Sequence, residues 1–519
     1  MNIRVVIKTS FYFDSFSLMK ISSEIRKIAG VREAMVCMGT DLNKEFLKVS
    51  RLLTPDAEAA TANDLIIALN GEDEQSAEKG IKKTEELLQQ RGGTRSGGKS
   101  LWPRTLETAH RRFPEANLVL LSIPGRYVRR EAEFALNKDL HVMIFSDNVP
   151  VEDEVELKKL GQDKGLFVMG PDCGTAIING TPLGFANAVR RGPVGIIGAS
   201  GTGIQEVSVI LHKIGIGVGQ AIGTGGRDLS REVGGITTKM AIDALARDPE
   251  VQIIVLLAKT FDIETGEDVF AILRRSRKPA LVNLMGWPTE LVKTPGLEAA
   301  LTLEDTAFRT AAILEREMNK GFLPTQDELA VTIRSEAAAF SSRQQYLRGL
   351  FSGGTLCAET VTVFSQMLGK VYSNIHHAAS VLLPDPERSI EHTVIDLGDD
   401  YFTRGRVHPM IDPRIRIERI LKEAEDPEVG VILIDIILGF GAAPDMAGNL
   451  LPAIVQAKRI VRSRGGYLSV VVNLCGTEDD PQNLEEQRRK LVEGGAVVLP
   501  TNALAARVAA GILGRRAQM

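Results

Sequence analysis

No uninterrupted apolar stretch in this chain approaches the roughly 20 residues that a membrane helix needs, although 44% of its 519 residues are apolar. No membrane partner is expected. Basic excess is missing as well: 62 Lys and Arg stand against 66 Asp and Glu, a net charge of −4. With no aromatic-rich basic stripe either, nucleic acid is not an expected partner. The four cysteines, Cys37, Cys173, Cys357 and Cys475, are scattered without paired spacing, which excludes a disulfide framework and a cysteine zinc site. No histidine-rich or carboxylate-repeat motif is present, so no protein metal site is expected; a magnesium ion accompanying phosphate stays open. The opening MNIRVVIKTSFYFDS lacks the charged, apolar and small-residue order of a signal peptide, and a cytoplasmic location is expected.

Two glycine-rich turns stand out against these absences. Gly195 to Glu206 (GIIGASGTGIQE) reads as a short apolar strand, a turn and a helix start, and its cousin RGLFSGGTLCAE begins at Arg348. Such a turn aims unpaired backbone N–H groups and the positive end of the helix dipole at whatever lies beyond it. Phosphate is the natural occupant, which makes Ser200, Gly201, Thr202, Gly203, Ser352, Gly353, Gly354 and Thr355 the phosphate-binding candidates; an ordinary helix cap is the plain alternative. Counted from Gly201-Thr202 and Gly354-Thr355, each copy has a glutamate four residues on, Glu206 and Glu359. That spacing marks a repeat.

The repeat extends through DPEVQIIVLLAKT and RSRKPALVNLMGWP in one half, and through DPEVGVILIDIILG and RSRGGYLSVVVNLCG in the other. Unbroken apolar strands separated by helices predict parallel sheets covered on both faces, with ligands at the carboxyl ends of the strands. Two such domains face to face bring both helix ends onto one anion. Upstream, NLVLLSIP, HVMIFSD and LFVMGPDCG with the helices between them predict a βαβαβ unit. RGGTRSGGKS, Arg91 to Ser100, reads as a loop or linker, and Leu323 to Phe340 as a connector. At this length about three or four domains are expected.

The stretches VLLSIPGRYVRREAEFALNKDLHVMIFSD, GPDCGTAIING, IIGASGTGIQEV, GTGGRDLSREVGG, GLFSGGTLCAE, IDLGDDYFTRGRVHPMIDP and ILIDIILGFGAAPD resemble the FdrA family, similar in architecture to succinyl-CoA synthetase. The resemblance implies an α/β multidomain chain: a CoA-binding, Rossmann-like region over 1–191 with a degenerate N-terminal half, then flavodoxin-like ligase domains over 192–325 and 345–519. It also implies a subunit of an AllF-type oxamate carbamoyltransferase in allantoin breakdown, working in a hetero-oligomer on small anions. The synthetase's phosphorylated histidine loop corresponds to Trp287 to Ala300, which holds no histidine, and the glutamate that would support that histidine is replaced by Lys259. No glycine loop for a CoA diphosphate follows the first strand, and no nucleotide-grasping region is present, so CoA is not an expected cofactor. An acid–thiol ligase and a non-catalytic anion-binding subunit are the competing functions.

Further candidates follow from residue chemistry. Arg227, in GTGGRD beside Gly225 and Gly226, has a planar fork suited to carboxylate or phosphate; an ion pair with Asp228 is its plain alternative. In IDLGDDYFTRGRVHPMIDP, Arg404 and Arg406 suit a carboxylate and His408 suits protonation of a departing amide nitrogen, with Asp399 and Asp400 beside them. Gly225, Gly226, Asp228, Asp399, Arg406 and Cys173 complete the substrate-binding set, His408, Arg404 and Arg227 the catalytic one. Cys173, in GPDCGT, is similar to the synthetase's turn beside its active site, where a nucleophilic thiol and a plain pocket wall are the two options.

Overall fold

The computed structural model describes residues 2–9, 11, 13, 15–91, 103–259, 261–287, 292, 296–404 and 406–516. They divide into two compact units: Met1–Thr105 with Asp400–His408, and Leu106–Asp399 with Pro409–Met519.

In the first unit β1 (Asn2–Lys8) and β2 (Val31–Met38) both pair antiparallel with a central β3 (Leu65–Gly71), giving the order β1–β3–β2. Period two decides the packing. Ala34, Val36, Met38, Leu65, Ile67 and Leu69 face Leu18, Ile21 and Ile25 of α1 (Ser15–Arg26) and Leu88 of α2 (Glu74–Arg91). The alternate residues Cys37, Ile66 and Ala68 pack on Leu47 and Leu52. This corrects the expectation of one Rossmann-like region over 1–191. Short apolar strands alternating with helices read alike whether the strands run parallel or antiparallel, and the 65–71 strand runs against its neighbours. Residues 92–100 of the glycine-rich segment lie outside the described residues.

The second unit opens with the expected βαβαβ, a parallel sheet of β4 (Leu118–Leu121), β5 (His141–Ile144) and β6 (Val168–Met169), with helices Val128–Leu136 and Val151–Lys164 between. A hairpin, β7 (Thr175–Ile178) and β8 (Thr181–Gly184), then joins a seven-stranded sheet. Its parallel part is β9 (Val194–Ala199), β10 (Val218–Gly223), β11 (Ile253–Ala258), β12 (Ala280–Leu284) and β13 (Glu298–Ala299), in the order β13–β12–β11–β9–β10–β7–β8. Helix Gln326–Ala337, opened by a Thr325/Glu328 capping box, bridges to the second half. There β14 (Tyr346–Phe351), β15 (Tyr372–Ser373), β16 (Val381–Leu382), β17 (Thr393–Asp396), β18 (Val429–Ile437), β19 (Ser469–Cys475) and β20 (Val497–Leu499) form a wholly parallel sheet, β16–β15–β17–β14–β18–β19–β20. Every residue of β9, β11, β18 and β19 is buried, as unbroken apolar strands in covered sheets must be.

Each central strand runs through its glycine turn into a helix, β9 into α3 (Gly201–Lys213) and β14 into α5 (Gly354–Leu368). The repeated glutamates tie the two halves together crosswise. Glu206 of α3 accepts from the backbone N of Asn502, first residue of the terminal α6 (Asn502–Arg516), at 2.7 Å. Glu359 of α5 accepts from the backbone N of Leu303, first residue of α4 (Leu303–Ile313), at 2.6 Å, and from Asn502 Nδ2 at 2.7 Å. Each carboxyl thus caps the last helix of the opposite half. Burial, and then the neighbouring Glu206, push the Glu359 carboxyl from 4.5 up to about 8; burial raises Glu206 too.

A carboxyl raised in the folded state binds a proton that the unfolded chain has already lost. The stability it carries is full below pH 4.5 and is lost as pH rises through about 8. Thermal melts are expected to show Tm falling between about pH 4.5 and 8, and Glu359→Gln is expected to flatten that slope.

Candidate anion site

Ser200 sits between β9 and α3 in an extended conformation, and its hydroxyl makes no cap hydrogen bond to the helix it precedes. Its Oγ lies 2.7 Å from Thr355 Oγ1, in the first turn of α5. Reciprocally, a Cβ on Gly353 would lie 3.0 Å from Cγ2 and Oγ1 of Thr202. The two helix N-termini therefore abut, as face-to-face packing of the halves requires. Among the described residues the amides of Gly201, Thr202 and Gly203, and of Gly354, Thr355 and Leu356, meet no protein acceptor.

The turns are not equivalent. Ser352 N donates to both oxygens of Asp435 at 2.9 and 3.0 Å, Ser352 Oγ reaches the same carboxylate at 3.0 Å, and Gly353 N donates to it at 2.8 Å. Asp435 is fully buried on β18 and is paired with buried Arg416 at 2.9 Å. The protein's own carboxylate thus fills the place expected for phosphate at Ser352 and Gly353, which corrects those two assignments. A lone charge inside VILIDIIL was the available signal, since a buried carboxylate persists only with donors around it. The matching strand β11 is apolar throughout, and the first turn has no such built-in anion.

Beside Ser200 and Gly201 the hollow is walled by Asp172, Cys173, Thr175 and Gly223. Cys173 is a wall residue: its thiol approaches Gly223 O at 3.4 Å, and burial pushes its pKa to about 12, far from a reactive thiolate. Gly225 turns inward; at φ +87°, a Cβ there would lie 2.3 Å from Pro171 O. Asp228 is fully buried and accepts from Thr237 N, Thr238 N and Thr238 Oγ1 at 3.2, 2.9 and 2.7 Å, holding the start of helix Ile236–Arg247. It is a structural cap, and its assignment to substrate is corrected. Lys158, also buried, bridges Asp228 at 2.6 Å, Glu154 at 2.9 Å and Thr224 O at 3.0 Å, satisfying its three donors. Arg227 pairs with Glu154 at 2.9 Å and donates to Val149 O at 2.8 Å, in place of the Asp228 pair that was its plain alternative. Gly226 lies near Asp172, where a Cβ would stand 3.6 Å from Oδ2.

The outer side of the second turn carries Asp396, which the sequence did not single out, and Lys259, noted there only as standing where the synthetase resemblance implies a glutamate. A Cβ on Gly354 would lie 2.5 Å from Asp396 Oδ2 and 3.1 Å from Lys259 Nζ, so both side chains converge on the first residue of α5. Asp396, at the end of β17, is 5% exposed; burial pushes its carboxyl up to about 7 against the pull of Lys259. Their signals were weak: a lysine closing an apolar strand, and the first acid of a run with several.

That polar run is divided. Asp399 belongs with the parallel sheets, whereas Asp400, Arg404, Arg406 and His408 group with the N-terminal unit. Arg404 and Arg406 are exposed there and His408 is half-buried. His392 Nδ1 accepts from Leu347 N at 3.3 Å with its ring edge-on to Tyr346, and His377 packs on Thr362 and Gly286. Of the Trp287 to Ala300 stretch, residues 288–291 and 293–295 lie outside the described residues. His212, Glu478 and Asp479 cluster within 4.8 Å, but His212 Nδ1 accepts from Arg190 N at 3.0 Å, which puts the ring proton on Nε2 facing Glu478. A cation there would have to displace it. Among the described residues, no helix is long and apolar enough to cross a membrane.

In Escherichia coli (strain K12), the uncharacterized protein YahF is 44% identical over 499 residues, covering 96% of this chain and 96% of YahF. Residues 1–102 match the family described as AllF, heavy metal-associated domain; residues 350–512 match CoA-ligase, and residues 189–261 the CoA binding domain. This chain belongs to the FdrA-like, succinyl-CoA synthetase-related family. The succinate–CoA ligase alpha subunit of Aquifex aeolicus is 27% identical to the FdrA-like chain over 177 residues, 33% of this chain and 57% of that subunit. PH0766 of Pyrococcus horikoshii aligns at a TM-score of 0.31 and 16% identity, over 78% of this chain and 84% of that one. The CoA-binding match falls on the first glycine turn, within the stretch expected to be a ligase domain. The metal in the AllF domain's description does not fit the residues here: positions 1–102 hold no histidine and one cysteine, the buried Cys37, whose thiol burial pushes to about 12.

Two measurements check this geometry. Lys158→Met leaves two buried carboxylates facing each other and is expected to destabilise the protein by about 3–5 kcal/mol in denaturant titrations. Gly201→Val crowds the open turn, where even a Cβ would meet Thr175 Oγ1 at 3.3 Å. Calorimetry is expected to show phosphate affinity falling by about tenfold or more, with the fold retained.

Proposed function

We propose that this chain is a subunit of an oxamate carbamoyltransferase, moving a carbamoyl group between oxalurate and phosphate to give oxamate and carbamoyl phosphate, together with further subunits. The observation that carries the reading is the pair of abutting helix N-termini with amides free of protein acceptors, open on the first turn. Phosphate held by Gly201, Thr202 and Gly203 keeps an oxygen available for attack on the ureido carbonyl. The oxyanion that forms there is stabilised by amides fixed in advance, those of Gly354 and Thr355. The AllF-type N-terminal domain supports the same reading.

Direct transfer needs no phosphorylated intermediate. Among the described residues no histidine nitrogen is hydrogen-bonded to either turn, which supports attack by phosphate itself. CoA fits poorly: a Cβ on Gly203 would already lie 3.2 Å from Thr355, and Gly125 after β4 is turned onto Asn148 O, so neither glycine opens a cradle for a diphosphate. Arg227 has its partners already, and His408 and Arg404 group with the other unit, so none of the three enters this proposal.

A second reading, an acid–thiol ligase, is favoured by the CoA-ligase match over 350–512 and by the succinate–CoA ligase relatives. One set of assays separates them. The chain with its partner subunits, given oxamate and carbamoyl phosphate, is expected to form oxalurate and release phosphate. Label from carbamoyl phosphate is expected to leave no acid-labile phosphate on the protein. Thioester formation from CoA, or a stable phosphoprotein, would replace the carbamoyl reading with the ligase.

A further inference from the structure

We propose that Asp396 is the general acid of the transfer and Lys259 the anchor for the substrate carboxylate, the two converging on Gly354 at the mouth of the second turn. This rests on the carbamoyl reading above and assigns chemistry to a face of α5 that the reading left unused. The geometry is specific. Asp396 Oδ1 is held by Gly398 N at 2.9 Å, and its backbone N is held by Asn374 Oδ1 at 2.8 Å. The carboxyl is therefore oriented, with Oδ2 turned toward Gly354 and, among the described residues, without a hydrogen-bond donor. Lys259 has no carboxylate within 4.0 Å among the described residues, although its ammonium stands beside the same glycine. A buried acid with one oxygen held and the other free, next to an unpaired cation and a helix N-terminus, suits a substrate that brings a carboxylate and a nitrogen needing a proton.

The step balances. A phosphate oxygen forms the new bond to the carbamoyl carbon, and the bond from that carbon to the oxamate nitrogen breaks with its electron pair going to nitrogen. The nitrogen takes the Asp396 proton. Monohydrogen phosphate, on becoming the mixed anhydride carbamoyl phosphate, gives its own proton back to the carboxylate. Asp396 is suited to both halves because burial raises it to about 7. The groups facing it set that value: Lys259 lowers it, Asp399 and Asp435 raise it, and the buried thiol of Cys357 stays protonated beside it.

The test uses the full chain with its partner subunits and follows phosphorolysis of oxalurate against pH. The wild type is expected to lose rate above about pH 7, as Asp396 ionises. Asp396→Asn is expected to lower kcat about a hundredfold or more, leave KM within a few-fold, and abolish that limb. Lys259→Ala is expected to raise KM for oxalurate about tenfold and to move the limb to higher pH, because the carboxyl loses the cation that favours its ionised form. This shift is read on an exposed residue and stands even if Asp396→Asn fails to fold. A transferring wild type whose Asp396→Asn variant keeps its rate and pH limb, or whose Lys259→Ala variant leaves limb and KM unmoved, overturns the assignment alone. A wild type that transfers no carbamoyl group overturns the reading beneath it as well.

Discussion

Two helix N-termini pressed against each other are electrostatically costly, because each carries roughly half a positive charge and several unsatisfied donors. The contact between Ser200 and Thr355 therefore holds only if negative charge is supplied around it. Asp435 supplies part of it, taking the amides of Ser352 and Gly353 with Arg416 behind it to keep the buried carboxylate neutralised. Asp396 adds a carboxyl on the other flank of the second turn. On the first turn the negative charge is left to be supplied from outside. That asymmetry makes one end of a near-symmetric pair the place where an anion gains most.

Further along the same helices the pressure is handled by protons. Glu206 and Glu359 sit four residues beyond the turns, fully buried, each capping the last helix of the other half. Two carboxylates near each other in a dry interior cannot both ionise, so proton uptake takes the place of a cation. The crosswise caps also mean that neither half can rotate against the other without freeing a buried helix end. The mouth of the turns is thereby fixed to within hydrogen-bond tolerance, which is the precision that preorganised donors need.

What could be read beforehand followed what repeats. Strand, glycine turn, helix and the phased glutamate recur as patterns of residue type, and the parallel sheets follow from apolar runs too short for helices and too continuous for half-exposed strands. The antiparallel N-terminal unit was illegible because chain direction leaves no mark on composition; Val36 and Ile67 would look the same in either sense. Among site residues, Gly201 and Thr202 were visible because a turn announces its own backbone. Asp228 misled because an acid beside a conspicuous arginine suggests a ligand or a partner, whereas its real partners, Lys158 and the amides of Thr237 and Thr238, lie on other elements.

Asp396 and Lys259 belong to a different category, because their meaning is made by strand order. One closes β17 and the other follows β11, on strands of different sheets, the two residues 137 positions apart. They meet only because the two halves pack with their helix ends together, so the same contact that creates the electrostatic cost also collects the groups able to exploit it. A carboxyl there is held near neutrality by burial and kept ionisable by the lysine. Lys259 adds positive charge beside the second turn, which favours holding an anionic group in place there.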